Sequence, residues 1–330
     1  MYTSFYKLSA EPFLLTPDER FYFDSSVHSQ AMAHLTYGLR RGEGFIVITG
    51  EVGAGKTTLV KHLIASIDRN KIIAAHVVTT LLSGHDLLRM IAVAFGLQDL
   101  PEDKGAILTR LQQFFEETYR QGRRALLIID EAQNLSERAL EEMRMLSNFQ
   151  VGSAAPLQSF LVGQPQFRRI IASPDLEQLR QRVIASYHLG PLNLAETGHY
   201  IYHRLERTGW RQDPAFGDEV IEAIHRCTDG IPRRINALGN RLMLLGLLDE
   251  LHQFTPEQVE RVATELSRET EVIETESPVA PAASKASKAA NSRSFDSRLD
   301  SIESRLAKHD MFIRRATSAI RGVIKISRVG

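Results

Sequence analysis

The sequence predicts an α/β fold, a parallel sheet wrapped by helices, followed by a small all-helical domain. Three observations predict it. A short β-branched run bounded by glycine, GFIVITG, leads straight into the loop GEVGAGKTT and a helix. Further runs of the same kind alternate with amphipathic patterns as far as Pro191, and beyond Leu194 only helical periodicity remains. Alternation of this kind belongs to parallel sheets, because each parallel connection must cross the sheet and covers one face of it with a helix.

The elements follow in chain order. GFIVITG is apolar on both faces, as a buried strand must be, and the helix after the loop opens at Lys56. KIIAAHVV reads as a strand, HDLLRMIAVAF and AILTRLQQFFEETYRQ as amphipathic helices, and ALLIID as a second buried strand ending at Asp130. A helix over about residues 136–149, the strand LQSFLVG, helices through Val183 and the strand ASYHL complete the alternation. Over 195–266 the patterns ETGHYIYHRLERTG, DEVIEAIHRCT, RRINALGNRLMLLGLLDEL and PEQVERVATELS are helical. From Ser267 the composition shifts to ETEVIETES and PVAPAASKASKAANS, which hold too few large apolar groups to offset the entropy of ordering, so 267–294 reads as a flexible linker. Phe295, Leu299, Ile302, Leu306, His309, Ile313, Ala316 and Ile320 then recur four and three apart, the spacing of a heptad seam. Residues 295–330 therefore read as one helix, self-associating or docked on its own body. Its last part sets Lys308, Arg314, Arg315, Arg321, Lys325 and Arg328 against the single acid Asp310, a basic amphipathic segment suited to an anionic membrane surface or an acidic partner.

Composition narrows the function classes. Forty basic residues balance forty acidic ones, so no overall field draws the molecule to nucleic acid or anionic lipid, and any such attraction is local. Cys227 is the single cysteine, which excludes an internal disulfide and a cysteine metal cluster and fits a reducing compartment. The opening MYTSFYKLSAEPF has no basic region followed by an apolar stretch, and apolar runs such as residues 125–129 are short. A cytoplasmic location is the expectation.

The loop Gly-x-x-x-x-Gly-Lys-Thr carries the first chemistry. Between Gly50 and Lys56 the backbone N–H groups of Glu51, Val52, Gly53, Ala54 and Gly55 can converge on phosphate oxygens, because glycine admits the dihedrals and the close approach. Lys56 adds a point charge, Thr57 a hydroxyl for Mg²⁺, and the helix carrying Thr57 and Thr58 its positive end. The metal needs an anionic oxygen from a neighbouring strand end, and LLIIDEAQNL offers Asp130, with Glu131 placed to deprotonate an attacking water. Gln164, directly after SFLVG, is the candidate to sense the γ-phosphate. Arginine recurs in LEQLRQRVIASYHL and in GIPRRIN, where Gly230 and Pro232 fix the direction of Arg233 at a helix start.

GEVGAGKTT, LLIIDEAQNL, FLVGQPQF, LRQRV and GIPRRIN, in this order, resemble the AAA+ ATPases related to general secretion pathway protein A, in particular the secretion ATPases encoded at exosortase (PEP-CTERM) exopolysaccharide loci. FYKLSAEPFLLTPDERFYF resembles that group's N-terminal segment. The resemblance implies an N-terminal segment over 1–26, a P-loop core with a five-stranded parallel sheet over 27–194, a helical lid over 195–266, and ATP with Mg²⁺ between core and lid. It further implies that Gln164 is sensor 1, Arg233 is sensor 2, and Arg182, with Arg180 as the alternative, is an arginine finger reaching a neighbouring subunit of a homo-oligomer. The function it implies is an Mg²⁺-dependent ATPase whose nucleotide-driven assembly supports envelope secretion or exopolysaccharide export, cytoplasmic or peripheral at the inner face of the membrane. Two alternatives stand beside it: a nucleic-acid-associated ATPase resembling the transposition target-selection ATPases, and a nucleotide-gated scaffold. The tail departs from the family pattern, so peptidoglycan binding is not implied.

Overall fold

The computed structural model describes residues 1–16, 18–79 and 84–275. The five expected runs form β1 (Phe45–Gly50), β2 (Ile72–Val78), β3 (Arg124–Asp130), β4 (Leu157–Gly163) and β5 (Val183–Leu189). All pair in parallel, in the order β2-β3-β4-β1-β5. Every residue of the central strands β1 and β4 is buried, whereas β2 and β5 at the edges are partly exposed. That is why the central runs are the most continuously apolar in the sequence.

Successive side chains on a strand point to opposite faces, and two cores result. Phe45 and Val47 of β1 join Leu127 and Ile129 of β3 in one core. Ile46 and Ile48 join Leu126 and Ile128 in the other. Before the sheet come α1 (Tyr2–Phe5) and α2 (Ser26–Arg41); between its strands run α3 (Lys56–Ser66), α4 (Gly84–Ala94), α5 (Lys104–Arg120), α6 (Glu137–Leu146), α7 (Gln166–Ile171) and α8 (Glu177–Arg180). Leu87 and Ile91 of α4, Leu111 of α5 and Met143 of α6 cover the first face, and Leu35 of α2 with Leu59 and Leu63 of α3 cover the second. Side-chain caps from Ser25, Asp103 and Ser136 set the starts of α2, α5 and α6.

The helical region is α9 (Leu194–Glu206), α10 (Asp218–Thr228), α11 (Pro232–Leu248) and α12 (Pro256–Thr275). A capping box between Asn193 and Glu196 opens α9, and Pro232 opens α11. Ile201, Leu205, Ile224, Ile235, Leu242 and Val259 form its core together with Tyr2, Tyr6, Leu8 and Phe13 from the N-terminus. Residues of the N-terminal segment thus pack into the core of the helical region. Tyr2 Oη donates to Asn240 Oδ1 at 2.8 Å and Tyr6 Oη to the Leu251 carbonyl at 2.7 Å. These contacts are not visible in the sequence, because the partners of the N-terminal residues lie some two hundred residues downstream.

α12 runs on to Thr275, past Ser267, where the composition places the start of the linker. Low hydrophobicity argues against a packed core, but glutamate and arginine are good helix formers, and Arg241 of α11 pairs with Glu269 at 2.6 Å. The rest of the expected linker and the expected helix over 295–330 lie outside the described residues. Residues 1–272 form one unit. No helix among the described residues is long and apolar enough to cross a membrane.

Candidate active site

The loop after β1 turns on two glycines with left-handed backbone, Gly53 at φ 87° and Gly55 at φ 99°. A side chain at either would also collide: a Cβ on Gly53 would sit 2.3 Å from Arg233 Cβ, and one on Gly55 would sit 2.6 Å from His28 Nε2. The loop is therefore braced by α2 on one side and by the lid's α11 on the other. The Arg233 N–H donates to the Gly53 carbonyl at 3.1 Å and makes that brace directional. Burial holds His28 below its ordinary pKa, so it packs as a neutral ring.

Lys56 is 6% exposed, and its Nζ donates to the carbonyls of Gly50 at 2.8 Å and Glu51 at 2.9 Å. Burial pulls the Lys56 pKa down, with Glu131, Asp130 and Glu51 opposing. Thr57 Oγ1 donates to Asp130 Oδ2 at 2.9 Å, which joins the loop to the end of β3. Asp130 Oδ1 accepts from the Glu131 N–H at 2.9 Å. Just after β2, the Thr79 hydroxyl lies 3.0 Å from the Asp130 carbonyl and 2.8 Å from that of Glu131, and His76 Nε2 on β2 lies 3.9 Å from Asp130 Oδ2.

Glu131 sits at φ 56°, a left-handed conformation rare for a residue with a side chain. Its Oε2 accepts from Gln133 Nε2 and, at 3.2 Å, from Gln164 Nε2, while the Gln164 N–H donates to Gln133 Oε1 at 2.9 Å. The ends of β3 and β4 are thereby joined through three polar side chains. Thr57 and Asp130 supply an all-oxygen donor set at hydrogen-bond distance, which fits Mg²⁺.

Lys56, Thr57, Asp130, Glu131 and Gln164 are thus brought together, and Arg233 lines the same cleft as Gly53, Gly55, Lys56, Thr57, Thr58 and Glu131. Arg182 and Arg180 are not. Arg182 Nη1 donates to Ser147 at the end of α6, at 2.9 Å to its carbonyl and 3.0 Å to its Oγ. Arg180 Nη1 lies 3.2–3.5 Å from the carbonyls of Ile171, Ala172 and Ser173 at the end of α7.

The cleft contains residues that the sequence reading did not single out: Leu14, Phe21 and Tyr22 from the N-terminal segment, and Tyr200, Arg204 and Asn236 from the lid. The Tyr22 ring stacks on His62 of α3 at 3.9 Å between centroids, and burial together with Asp24 pushes its phenol up to about 12. The available sequence signal was the aromatic density of RFYF, which has no period to interpret.

A parallel sheet with a phosphate loop after its first strand, an acidic pair at the end of a nearby strand and a helical lid defines an AAA+ ATPase domain. Residues 39–171 match the AAA domain family. The chain is similar to general secretion pathway protein A of Aeromonas hydrophila, with 35% identity over 271 residues, 81% of this chain and 49% of that protein. It therefore spans about half the length of that relative. Among solved structures, the Aeropyrum pernix ORC1 protein in complex with DNA is similar with a TM-score of 0.57 and 16% identity, covering 83% of this chain and 74% of that one. Cdc6p from Pyrobaculum aerophilum is similar with a TM-score of 0.57 and 14% identity, covering 78% and 72%. At such identities the likeness is one of fold.

Proposed function

We propose that the chain is an Mg²⁺-dependent ATP hydrolase whose nucleotide-driven assembly supports envelope secretion or exopolysaccharide export, of the kind encoded at exosortase loci. The observation that carries the chemistry is the linked set Thr57, Asp130, Glu131 and Gln164 beside a buried Lys56. The export role draws on the relation to general secretion pathway protein A. In this reading the loop N–H groups and Lys56 hold the phosphates, and the ammonium exchanges its two carbonyl partners for phosphate oxygens. Mg²⁺ held through Thr57 and Asp130 would neutralise charge on those oxygens. Glu131 takes the proton of the attacking water as its oxygen bonds to the γ-phosphorus and the bond to ADP breaks, while Gln164 holds the carboxylate in place.

Lys56→Ala tests the nucleotide reading at its root. Loss of one charge-assisted contact is expected to weaken ATP binding about tenfold to a hundredfold, measured by titration with a fluorescent analogue. Unchanged affinity would remove the loop from the mechanism.

We place the ATP-assembled protein at the inner face of the membrane through residues 308–330, on the strength of their charge pattern. Each basic residue contributes about 1 kcal/mol near an anionic surface, so a single copy binds weakly and an assembly of several copies strongly. Sedimentation with anionic liposomes is expected to pellet the full chain with ATP more than without it, and more than a chain ending at Ser294. Equal pelleting of the two chains would take the tail out of the mechanism, and a tail that prefers DNA would favour the nucleic-acid-associated reading.

A further inference from the structure

Arg204, on α9, is 6% exposed and lines the cleft, yet no ion pair joins it to a carboxylate among the described residues. A buried cation without an acid is costly unless its donors are all directed at acceptors. Here the acceptors belong to the N-terminal segment and to the lid itself. Arg204 Nε donates to the Pro12 carbonyl, Nη2 to the Leu14 carbonyl at 3.3 Å and Nη1 to the Tyr200 hydroxyl at 3.0 Å. Asn236 of α11 adds a second donor to the Leu14 carbonyl at 3.2 Å and accepts from Tyr200 Oη at 2.9 Å. The guanidinium carbon lies 4.6 Å from the centroid of the Phe21 ring. Leu14, Phe21, Tyr200 and Asn236 all line the same cleft.

Among the described residues no backbone-to-backbone hydrogen bond ties residues 10–16 to another part of the chain, so their attachment to the lid is made through side chains. Tyr22, one residue beyond Phe21, stacks on His62 of the core, whereas Phe23 returns to the lid against Tyr200 and His203. We propose that Arg204 is a positioning residue that fastens Pro12, Leu14 and Phe21 to the lid as the wall facing the nucleoside part of the nucleotide. The phosphates are taken by the loop and Lys56, and the rest of the cleft includes Leu14, Phe21 and Tyr200, apolar and aromatic surface suited to a base. A guanidinium does this better than an ammonium, because its planar fork serves three acceptors in fixed directions and stacks on a ring at the same time.

The inference rests on the reading of the cleft as an ATP site, and the test separates the two. ATP and inorganic tripolyphosphate are titrated against the wild type, Arg204→Lys and Phe21→Leu, each checked for cooperative unfolding. The second variant leaves the guanidinium in place and removes only the ring above it. Arg204→Lys is expected to bind ATP about tenfold more weakly, the worth of one lost charge-assisted contact, and Phe21→Leu about as much through loss of the ring that the guanidinium stacks on, with tripolyphosphate unchanged in both. ATP is also expected to protect the wild type, but not Arg204→Lys, from tryptic cleavage after the exposed Arg20. Equal loss of both ligands, or no loss of ATP affinity, would overturn the role of Arg204. A wild type that binds neither ligand would instead overturn the nucleotide reading itself.

Discussion

Replacing Glu131 with glutamine is expected to leave ATP binding intact and to lower turnover about 10²- to 10⁴-fold, the range a positioned general base supplies. The substitution is conservative in shape and in contacts. Glutamine at this position still offers an oxygen to Gln133 and Gln164, whose amides hold the Glu131 carboxylate in the structure. What disappears is the capacity to accept a proton. The backbone gives a second reason to assign the role here: Glu131 is held at φ 56°, a conformation that persists only where its surroundings fix it, and Thr79 bonding to the carbonyls on both sides of that turn does so. Steady-state phosphate release, read beside an equilibrium ATP titration, makes the comparison. Turnover at the wild-type rate would end the assignment.

The parts of the molecule that were legible in the sequence are those whose causes are local. β1, β3 and β4 are buried on both faces, so their runs are apolar without alternation, and the phosphate loop is spelled by the glycines its dihedrals demand. Pro232 after Gly230 announces the start of α11 and Arg233 in its first turn, while the contact of Arg233 with Gly53 came only with the structure. What was not legible depends on distant partners. Nothing in KLSAEPFLLT says that Phe13 packs on Gly239, or that Pro12 and Leu14 present their carbonyls to Arg204. HRLER reads as an exposed helix face, and a buried guanidinium cannot be told from a solvated one by spacing. His76 and Thr79 escaped for the same reason. The strand that holds His76 and ends just before Thr79 was legible, but its register against β3, which sets His76 beside Asp130, was not.

Arg182→Ala is expected to bind ATP as the wild type does and to lose about 10³- to 10⁵-fold in turnover, because an arginine supplied by a neighbouring subunit stabilises charge that develops only in the transition state. In the structure Arg182 is spent on Ser147 in its own chain, and assembly would have to exchange those two bonds for a phosphate. Arg180, exposed and held by longer contacts to the end of α7, gives up less on release. Arg180→Ala in parallel decides between them, since only the finger's loss leaves binding intact and turnover abolished. A change in stability alone could mimic the effect: loss of the Ser147 bonds costs about 1–3 kcal/mol in the Arg182 variant, so thermal unfolding is recorded alongside. The proposed sharing of a site between subunits has its own two consequences. Specific activity of the wild type should rise with protein concentration. Mixing Arg182→Ala with Glu131→Gln, each inactive alone, should restore part of the rate, because some interfaces then unite an intact base on one chain with an intact finger on the other. A destabilised or misfolded variant would not be rescued in this way, and absence of recovery in mixtures shown to co-assemble would place the catalytic arginine in the same chain as the base.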